Sequence, residues 1–590
     1  MATQGVICDG DEHQAKIEEV APLQASECRG LAEILDPSAL PMIEPGSTES
    51  SPNLDVQSEH GSESTVATEV SEEGEHKRQA HPEKKLYVAV GLGVRSTPQP
   101  DKQAEDSHRD TDATVLSDER AGLRNLKPFA PLLASMHHEL VPKFVSTIRQ
   151  QLALQANAAE GTEAPAGYIE CEVQSQLRAG SYHIAFIIEF VDGLKWVLKI
   201  PENGYIGRLD DMTARALTAE AQTMKLLKRE TTIPLPEVYA FDASAENEIN
   251  CAYILMGYID GVPLHERWLD KTLSMESLAA IRAKALFEIA AAMVQLNRFT
   301  YSKGGSPVFD HENTAVDVGR VRKHDLQAEK DRINSEDPDT SPIYCEVGPF
   351  TEPKSHLLAM LDWGKQELED DYTRGLDKLL RFFIECIPYD VCSAEEIGVT
   401  DFVLAHPDLA FQNILVAEDG KLRGIIDWDG VAAVPRCVGN LSYPSFLTCD
   451  WDDSMEPENT PAELRLYRKL YASFIDALLP GGYQPLQNCA HLTRNTLLTK
   501  SLEIAANDPW CRDNIMDRVF KEIRKVDLSV RFTGSVDNAD QYTGSDDETD
   551  DVDGFFLYEV ATDLANGDLD DARIDRLMAG FEALCSGRQI

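Results

Sequence analysis

The segment "FVLAHPDLAFQNILV", residues 402–416, constrains this chain more than any other. Two apolar runs bracket a short polar loop that carries His406, Asp408 and Asn413. A third apolar run, 424–426, delivers Asp427 and Asp429 in "GIIDWDG". Apolar runs this short are buried strands bounded by turn signals. An Asp or Asn at a strand end is ordinarily a turn cap. Read alone, the stretch leaves three options open: turn caps, a metal site, or a carboxylate pair for hydrolysis.

The preceding residues narrow these options. "LRAGSYHIAF" places Gly180 and Ser181 in a turn between two strands, where a glycine lets backbone N–H groups approach a phosphate. By itself this is an ordinary hairpin. Lys199 interrupts the apolar strand "WVLKIP" and either faces solvent or is held for a purpose. Glu220 follows about twenty residues later in "LTAEAQTMKLL", and the same helix also offers Glu230. "CAYILMGYIDG" then runs into Met256, Gly257 and Tyr258, either as the wall of a flat-ring pocket or as plain core. Gly turn, strand Lys, helix Glu, apolar strand, helices, His-x-Asp-x-x-x-x-Asn and strand-end Asp form the part order of phosphoryl transfer from ATP. In that order the Lys neutralises phosphate charge and the Glu holds the Lys. Asp408 accepts or orients the proton of the attacking hydroxyl. Asn413 and Asp427 are hard oxygen ligands suited to Mg²⁺.

At this point the chain resembles the aminoglycoside phosphotransferase and choline kinase-like branch of the protein-kinase fold. "HPDLAFQNILV" matches its catalytic loop, and "GIIDWDG" matches its Ile-Asp-Trp signature. The stretch from "GSYHIAFIIEFVDGLKWVLKIP" to "IIDWDGVAAVPRCVGNLSYPSFLTCDWD" looks most like fungal phosphotransferase-family proteins of unassigned substrate. The resemblance spans roughly residues 170–530. It implies an α+β, bilobal protein-kinase-like fold, with a small antiparallel β lobe, a larger mostly helical lobe, and ATP between them. Carried over by position, Gly180, Ser181, Lys199 and Glu220 hold the nucleotide, and Met256 to Ile259, with Met256 and Tyr258 foremost, form the adenine hinge. Asp408 is the catalytic base, Asn413 and Asp427 bind Mg²⁺, and His406 supports the loop. Asp429 receives no role. A single glycine marks the phosphate loop, His183 stands where relatives carry small polar residues, and no Ala-Pro-Glu follows "IDWDG". The last departure speaks against an ordinary protein kinase.

The rest of the chain divides by composition. Residues 1–116 are polar and acidic, too poor in apolar area to offset chain entropy, and are expected to be disordered apart from the island "KKLYVAVGLGV" at 84–94. A helical lead-in is expected over 117–166, broken at Pro128 and Pro142, then a β-β-β-α-β-β nucleotide lobe over 167–259. A catalytic lobe follows over 260–532, with a polar insertion at 311–350, an acidic disordered stretch at 533–555 and a helical end at 556–590.

A net charge of −46 argues against the basic surface that nucleic acid or an anionic membrane demands. The 12 cysteines form no C-x-x-C pair, so reduced thiols are expected rather than a zinc site or disulfide framework. The acidic N-terminus lacks a secretory h-region, which leads to a cytoplasmic expectation. Asp450, Asp452 and Asp453 would suit a small, hydroxylated, cationic acceptor, or else form a solvated loop; His265 and Glu266 mark another pocket edge. Ser545, ahead of acids in "SDDETDD", resembles an acidophilic-kinase target. Two rival functions remain: a pseudokinase or interaction protein, and an atypical protein kinase of the same fold.

Overall fold

A computed structural model of the chain describes residues 126–160, 169–175, 177–325, 327–328, 331–332, 343–363, 370–389, 401–451, 459–479, 489–532 and 555–586. The stretches expected to be disordered, the island at 84–94, Asp452, Asp453 and Ser545 lie outside the described residues, apart from position 555.

The first lobe is a six-stranded antiparallel sheet in the order β1 (Cys171–Val173), β3 (His183–Phe190), β4 (Lys195–Pro201), β6 (Tyr253–Gly257), β5 (Val238–Asp242), with β2 (Arg178–Ala179) beside β3. Within "YIECEVQSQL", residues 168–177, only Cys171–Val173 is strand, and β2 follows it. The β3–β4 hairpin turns at Asp192-Gly193, with Gly193 at φ 83°; a glycine adopts that left-handed conformation without steric cost.

Alternation along β3 and β4 sets the two faces of this sheet. Ile184, Phe186, Ile188, Trp196, Leu198 and Ile200 are buried in one cluster with Phe129, Leu132, Phe144 and Val145. These last four come from the lead-in, which forms α1 (Ala130–Ser135) and α2 (Val141–Glu160). Pro142 does not break α2; it sits in the first turn, where its missing N–H costs nothing. The opposite face looks toward α3 (Asp211–Glu230), which starts at an N-cap where Asp210 accepts from the Thr213 N–H at 2.7 Å.

The second lobe begins with β7 (Val262–Pro263), α4 (Leu264–Trp268) and the long α5 (Met275–Val294), capped by Ser274. Much of the described part of the region expected as a polar insertion is strand. After β8 (Thr300–Tyr301) and β9 (Ser306–Phe309) come β10 (Ala315–Gly319), β11 (Val321–His324) and β12 (Tyr344–Val347); β9 pairs with β10, and β11 with β12. Four-residue strands such as "VRKH" and "YCEV" lack a clean apolar alternation, so they were not visible in the sequence. Next come α6 (Pro353–Trp363), α7 (Asp371–Cys386), β13 (Phe402–Ala405), β14 (Ile414–Val416), β15 (Leu422–Ile425) and β16 (Ala432–Pro435). The helices α8 (Pro461–Leu478), α9 (Cys489–Asn507), α10 (Pro509–Phe532), α11 (Leu557–Asn566) and α12 (Asp571–Cys585) complete the chain. The architecture is α+β and bilobal. No helix among the described residues is long and apolar enough to cross a membrane.

The C-terminal helices dock on the second lobe. Phe383 of α7 stacks on Phe581 of α12 at 4.7 Å, and Lys378 caps α11 through the carbonyls of Leu564 and Ala565 at 3.2 and 3.0 Å. At Gly375 a Cβ would fall 1.8 Å from the Ala561 carbonyl oxygen, so the two backbones touch. Gly375→Ala is therefore expected to lower stability by about 1–3 kcal/mol. Thermal denaturation of the full chain checks this; an unchanged midpoint would contradict the close packing of α7 on α11.

Candidate active site

Register decides where the strand lysine points. Lys199 pairs with Ala185 on one side and Ile254 on the other, and Val197 pairs with Ile187 and Met256. With Leu198 and Ile200 committed to the core, Lys199 lies on the inner face of the sheet rather than in solvent. Its Nζ donates to Glu220 Oε1 at 2.7 Å and to Asp427 Oδ1 at 2.8 Å. Glu220 is 2% exposed. Glu230, the other candidate, is exposed at the end of α3 beside Arg229. Burial alone would lower the Lys199 pKa, but the Asp427 and Glu220 charges override it and hold the ammonium protonated.

The loop from His406 to Asn413 is tied together by its own side chains. His406 accepts the Asp408 N–H at Nδ1 (3.2 Å) and, as the Nε2–H tautomer, donates to the Ile426 carbonyl (3.1 Å). It thereby links the loop after β13 to the end of β15. Trp428, fully buried, meets the His406 ring edge-on at 4.6 Å. Asn413 donates from Nδ2 to the Asp408 carbonyl and to Asp408 Oδ2, both at 2.9 Å. This leaves its carboxamide oxygen as the acceptor. Gln412 adds a bond to Asp408 Oδ2 at 3.3 Å. Behind the loop, Phe411 stacks on Phe446 at 4.2 Å and packs against Trp268. Surrounding protein and the Asp427 charge raise the Asp408 pKa, against the Asn413 bond and the Lys500 charge.

Asp427 adopts φ 63°, a left-handed conformation that Asp tolerates better than most residues, and its side chain is 49% exposed. The Asp427 carboxylate and the Asn413 amide oxygen are hard oxygen donors of the kind Mg²⁺ takes. The glycine turn is less committed. The Gly180 N–H donates to the His183 carbonyl at 2.8 Å, and Ser181 is exposed at the tip. At the hinge Met256 is buried, while the N–H groups of Gly257 and Tyr258 go to the carbonyls of Glu237 and Lys195 at 2.8 and 3.1 Å. Those two donors are spent within the sheet.

Two residues that had no assigned role enter the site. Asp429 accepts from Arg322 of β11 and lies 3.9 Å from His183 Nε2. Arg322 was hidden in the polar insertion, 107 residues away in sequence. Its only sequence signal was a basic residue in a short stretch between apolar positions. The Asp450 side chain is buried and bidentate with Arg468 at 2.6 and 3.0 Å, so its charge is already compensated. His265 and Glu266 are half-buried on α4. Cys437 and Cys449 are buried in the core.

Burial holds both His183 and His406 neutral, each pushed down to about 4. The unfolded chain binds these protons more readily than the folded one. Stability is therefore expected to be nearly complete above pH 7 and to fall as pH drops toward 4, by roughly 4 kcal/mol between pH 7 and pH 5 for the two histidines together. Urea denaturation at stepped pH measures it; a midpoint that rises over this range contradicts the assignment.

Comparison with known proteins adds the following. A subtelomeric hrmA-associated cluster protein of Aspergillus fumigatus is 24% identical over 340 residues, 49% of this chain and 62% of that protein. The "Altered inheritance of mitochondria protein 9, mitochondrial" of Kluyveromyces lactis is 22% identical over 49% of this chain and 52% of its own length. The chain thus spans under two thirds of the length of these relatives. A solved aminoglycoside phosphotransferase, in ternary complex with AMP-PNP and hygromycin B, is 15% identical over 60% of this chain and 93% of its own, with a TM-score of 0.31. The mitochondrial naming of the relatives, in Yarrowia lipolytica as well, overturns the cytoplasmic expectation. That expectation rested on a missing apolar h-region, which tests for secretion and is silent on mitochondrial import, where leaders are amphipathic and basic. Residues 174–436 match the family model described as "Phosphotransferase enzyme family". That span contains the Lys199–Glu220–Asp427 network, the Asp408–Asn413 loop and Arg322, and over it the chain is similar to the phosphotransferase enzyme family.

Proposed function

We propose that this domain transfers the γ-phosphoryl group of ATP to a hydroxyl of a small molecule, with Asp408 as the base. One observation carries the proposal: Lys199 bridges Glu220 and Asp427, residues 21 and 228 positions away, at 2.7 and 2.8 Å. A structural lysine needs no such pair of buried and cleft-facing acids. Lys199, kept charged, would bind the phosphates, and Glu220 would hold its position. Asp408, aimed by Asn413 and Gln412, would take the proton of the acceptor hydroxyl. Its raised pKa brings it nearer the working pH, where a general base is most effective. Asn413 and Asp427 would hold Mg²⁺, which when bound neutralises phosphate charge. Gly180 and Ser181 would border the phosphates, and Met256 and Tyr258 the base, through side chains rather than the N–H groups already taken.

The Aspergillus and yeast relatives name no acceptor, while the aminoglycoside phosphotransferase holds AMP-PNP and hygromycin B. A small hydroxylated acceptor is in keeping with the latter. A cationic acceptor loses support, because Asp450 is paired and Lys500 contributes positive charge at Asp408. The relatives' names favour a mitochondrial setting for this chain. The test is Mg²⁺-dependent consumption of ATP in the presence of fractionated metabolite extract, with Asp408→Ala as control. Equal turnover by the variant, or no thermal stabilisation of the wild-type chain by Mg²⁺ and ATP, overturns the proposal.

A further inference from the structure

We infer that the β11–β12 hairpin is an intramolecular clamp, and that Arg322 on it is a positioning residue that keeps Asp429 from competing for Lys199. The inference rests on the phosphotransferase reading above.

The charges around Lys199 set the problem. Carboxylate oxygens of Glu220 and Asp429 and a ring nitrogen of His183 all lie within 4.8 Å of one another. Asp427 shares Lys199 with Glu220. Three acids therefore surround one ammonium, and His183 between them is neutral. Asp429 is only 16% exposed in its side chain, so water cannot neutralise it cheaply. Arg322 supplies the missing cation. Its side chain is 7% exposed, bonded to Asp429 and held over the Tyr344 ring at 4.3 Å. With Asp429 paired, Lys199 remains shared between Glu220 and Asp427, and the exposed part of Asp427 faces the cleft.

The same hairpin grips two other parts of the site. Arg322 pairs in register with Glu346, which accepts both Arg215 Nη2 bonds at 2.9 Å from α3, the helix of Glu220. His324 pairs in register with Tyr344, and both rings pack on Tyr182 of the glycine turn, at 4.9 and 5.7 Å. One hairpin thus touches the helix of Glu220, the glycine turn and the Asp427–Asp429 loop. Removing Arg322 would leave Asp429 to draw Lys199 away from its two partners.

The experiment uses the full chain as wild type, Arg322→Gln, Arg322→Lys, Asp429→Asn and the Arg322→Gln/Asp429→Asn double variant. Calorimetric affinity for AMP-PNP with Mg²⁺ is read together with amide hydrogen exchange of residues 424–431 in nucleotide-free protein and with melting temperature. Arg322→Gln is expected to weaken nucleotide binding by about tenfold or more and to speed exchange in that loop. The double variant, which has no unpaired acid, should return to within about threefold of Asp429→Asn, and Arg322→Lys should fall between wild type and Arg322→Gln. Three results overturn the inference. Arg322→Gln could bind like wild type with unchanged exchange; its melting temperature alone could fall; or the double variant could be as weak as Arg322→Gln. If the wild type binds no nucleotide yet Arg322→Gln still loosens the loop and the double variant restores it, the clamp stands and the phosphotransferase reading fails.

Discussion

Replacing Asp408 with alanine is expected to slow phosphoryl transfer by about 10²–10⁴-fold, the usual range for a lost general base, while Mg²⁺-nucleotide affinity stays nearly unchanged. The separation follows from the geometry. Asp408 bonds to Asn413 and Gln412 and to no phosphate-binding group, whereas Lys199 and Asp427 bond to each other. A cut that removes only the Asp408 carboxylate leaves the Lys199 network in place. It also releases one Asn413 N–H, which water can satisfy because Asp408 is solvent-exposed. Asp408→Asn should show the same loss of rate with less disturbance of the loop. The measurements are ATP consumption with an active metabolite fraction and calorimetric AMP-PNP binding. A variant that keeps its rate within threefold would sink Asp408 as the base; one that loses binding and rate together would make it a ligand-binding residue instead.

Lys199→Met should do the opposite: lose nucleotide binding and also unsettle the fold. Glu220 is 2% exposed and bonded to Lys199 at 2.7 Å. Removing the lysine strands a buried carboxylate, and breaking a buried pair from one side costs about 3–5 kcal/mol. Glu220 can escape part of that cost by taking up a proton, since burial already pushes its pKa up, to about 7. Lys199→Met should therefore be less destabilised at pH 6 than at pH 8. Lys199→Met/Glu220→Gln should recover much of the stability without recovering binding. Chemical denaturation at the two pH values, with AMP-PNP titration alongside, separates the effects. If the single and double variants are equally stable, the ion pair contributes nothing to the fold.

The 406–413 loop was legible because its bonding is local. His406, Asp408 and Asn413 lie within eight residues, and their mutual bonds need only the two flanking strands to hold the loop ends. The helices were legible where a cap and an apolar period agree, as at Asp210 for α3 and Ser274 for α5. The β9–β12 strands were not, since "VRKH" and "YCEV" have no buried face of their own. The hinge was legible as a strand, but the donor use of Gly257 and Tyr258 depends on Glu237 and Lys195, which no spacing reveals.

The amino-acid order by itself determined the kinds of groups available, their succession along the chain and the compact Asp408–Asn413 unit, because backbone geometry over a few residues limits where those side chains can go. Tertiary structure decided which face of β4 carries Lys199, that Glu220 rather than Glu230 is buried against it, and that Asp429 is answered by Arg322. Each of these joins groups separated by 21 to 228 residues. A charge is committed to a partner at that separation only once sheet register and lobe packing have excluded water, and those are properties of the folded chain.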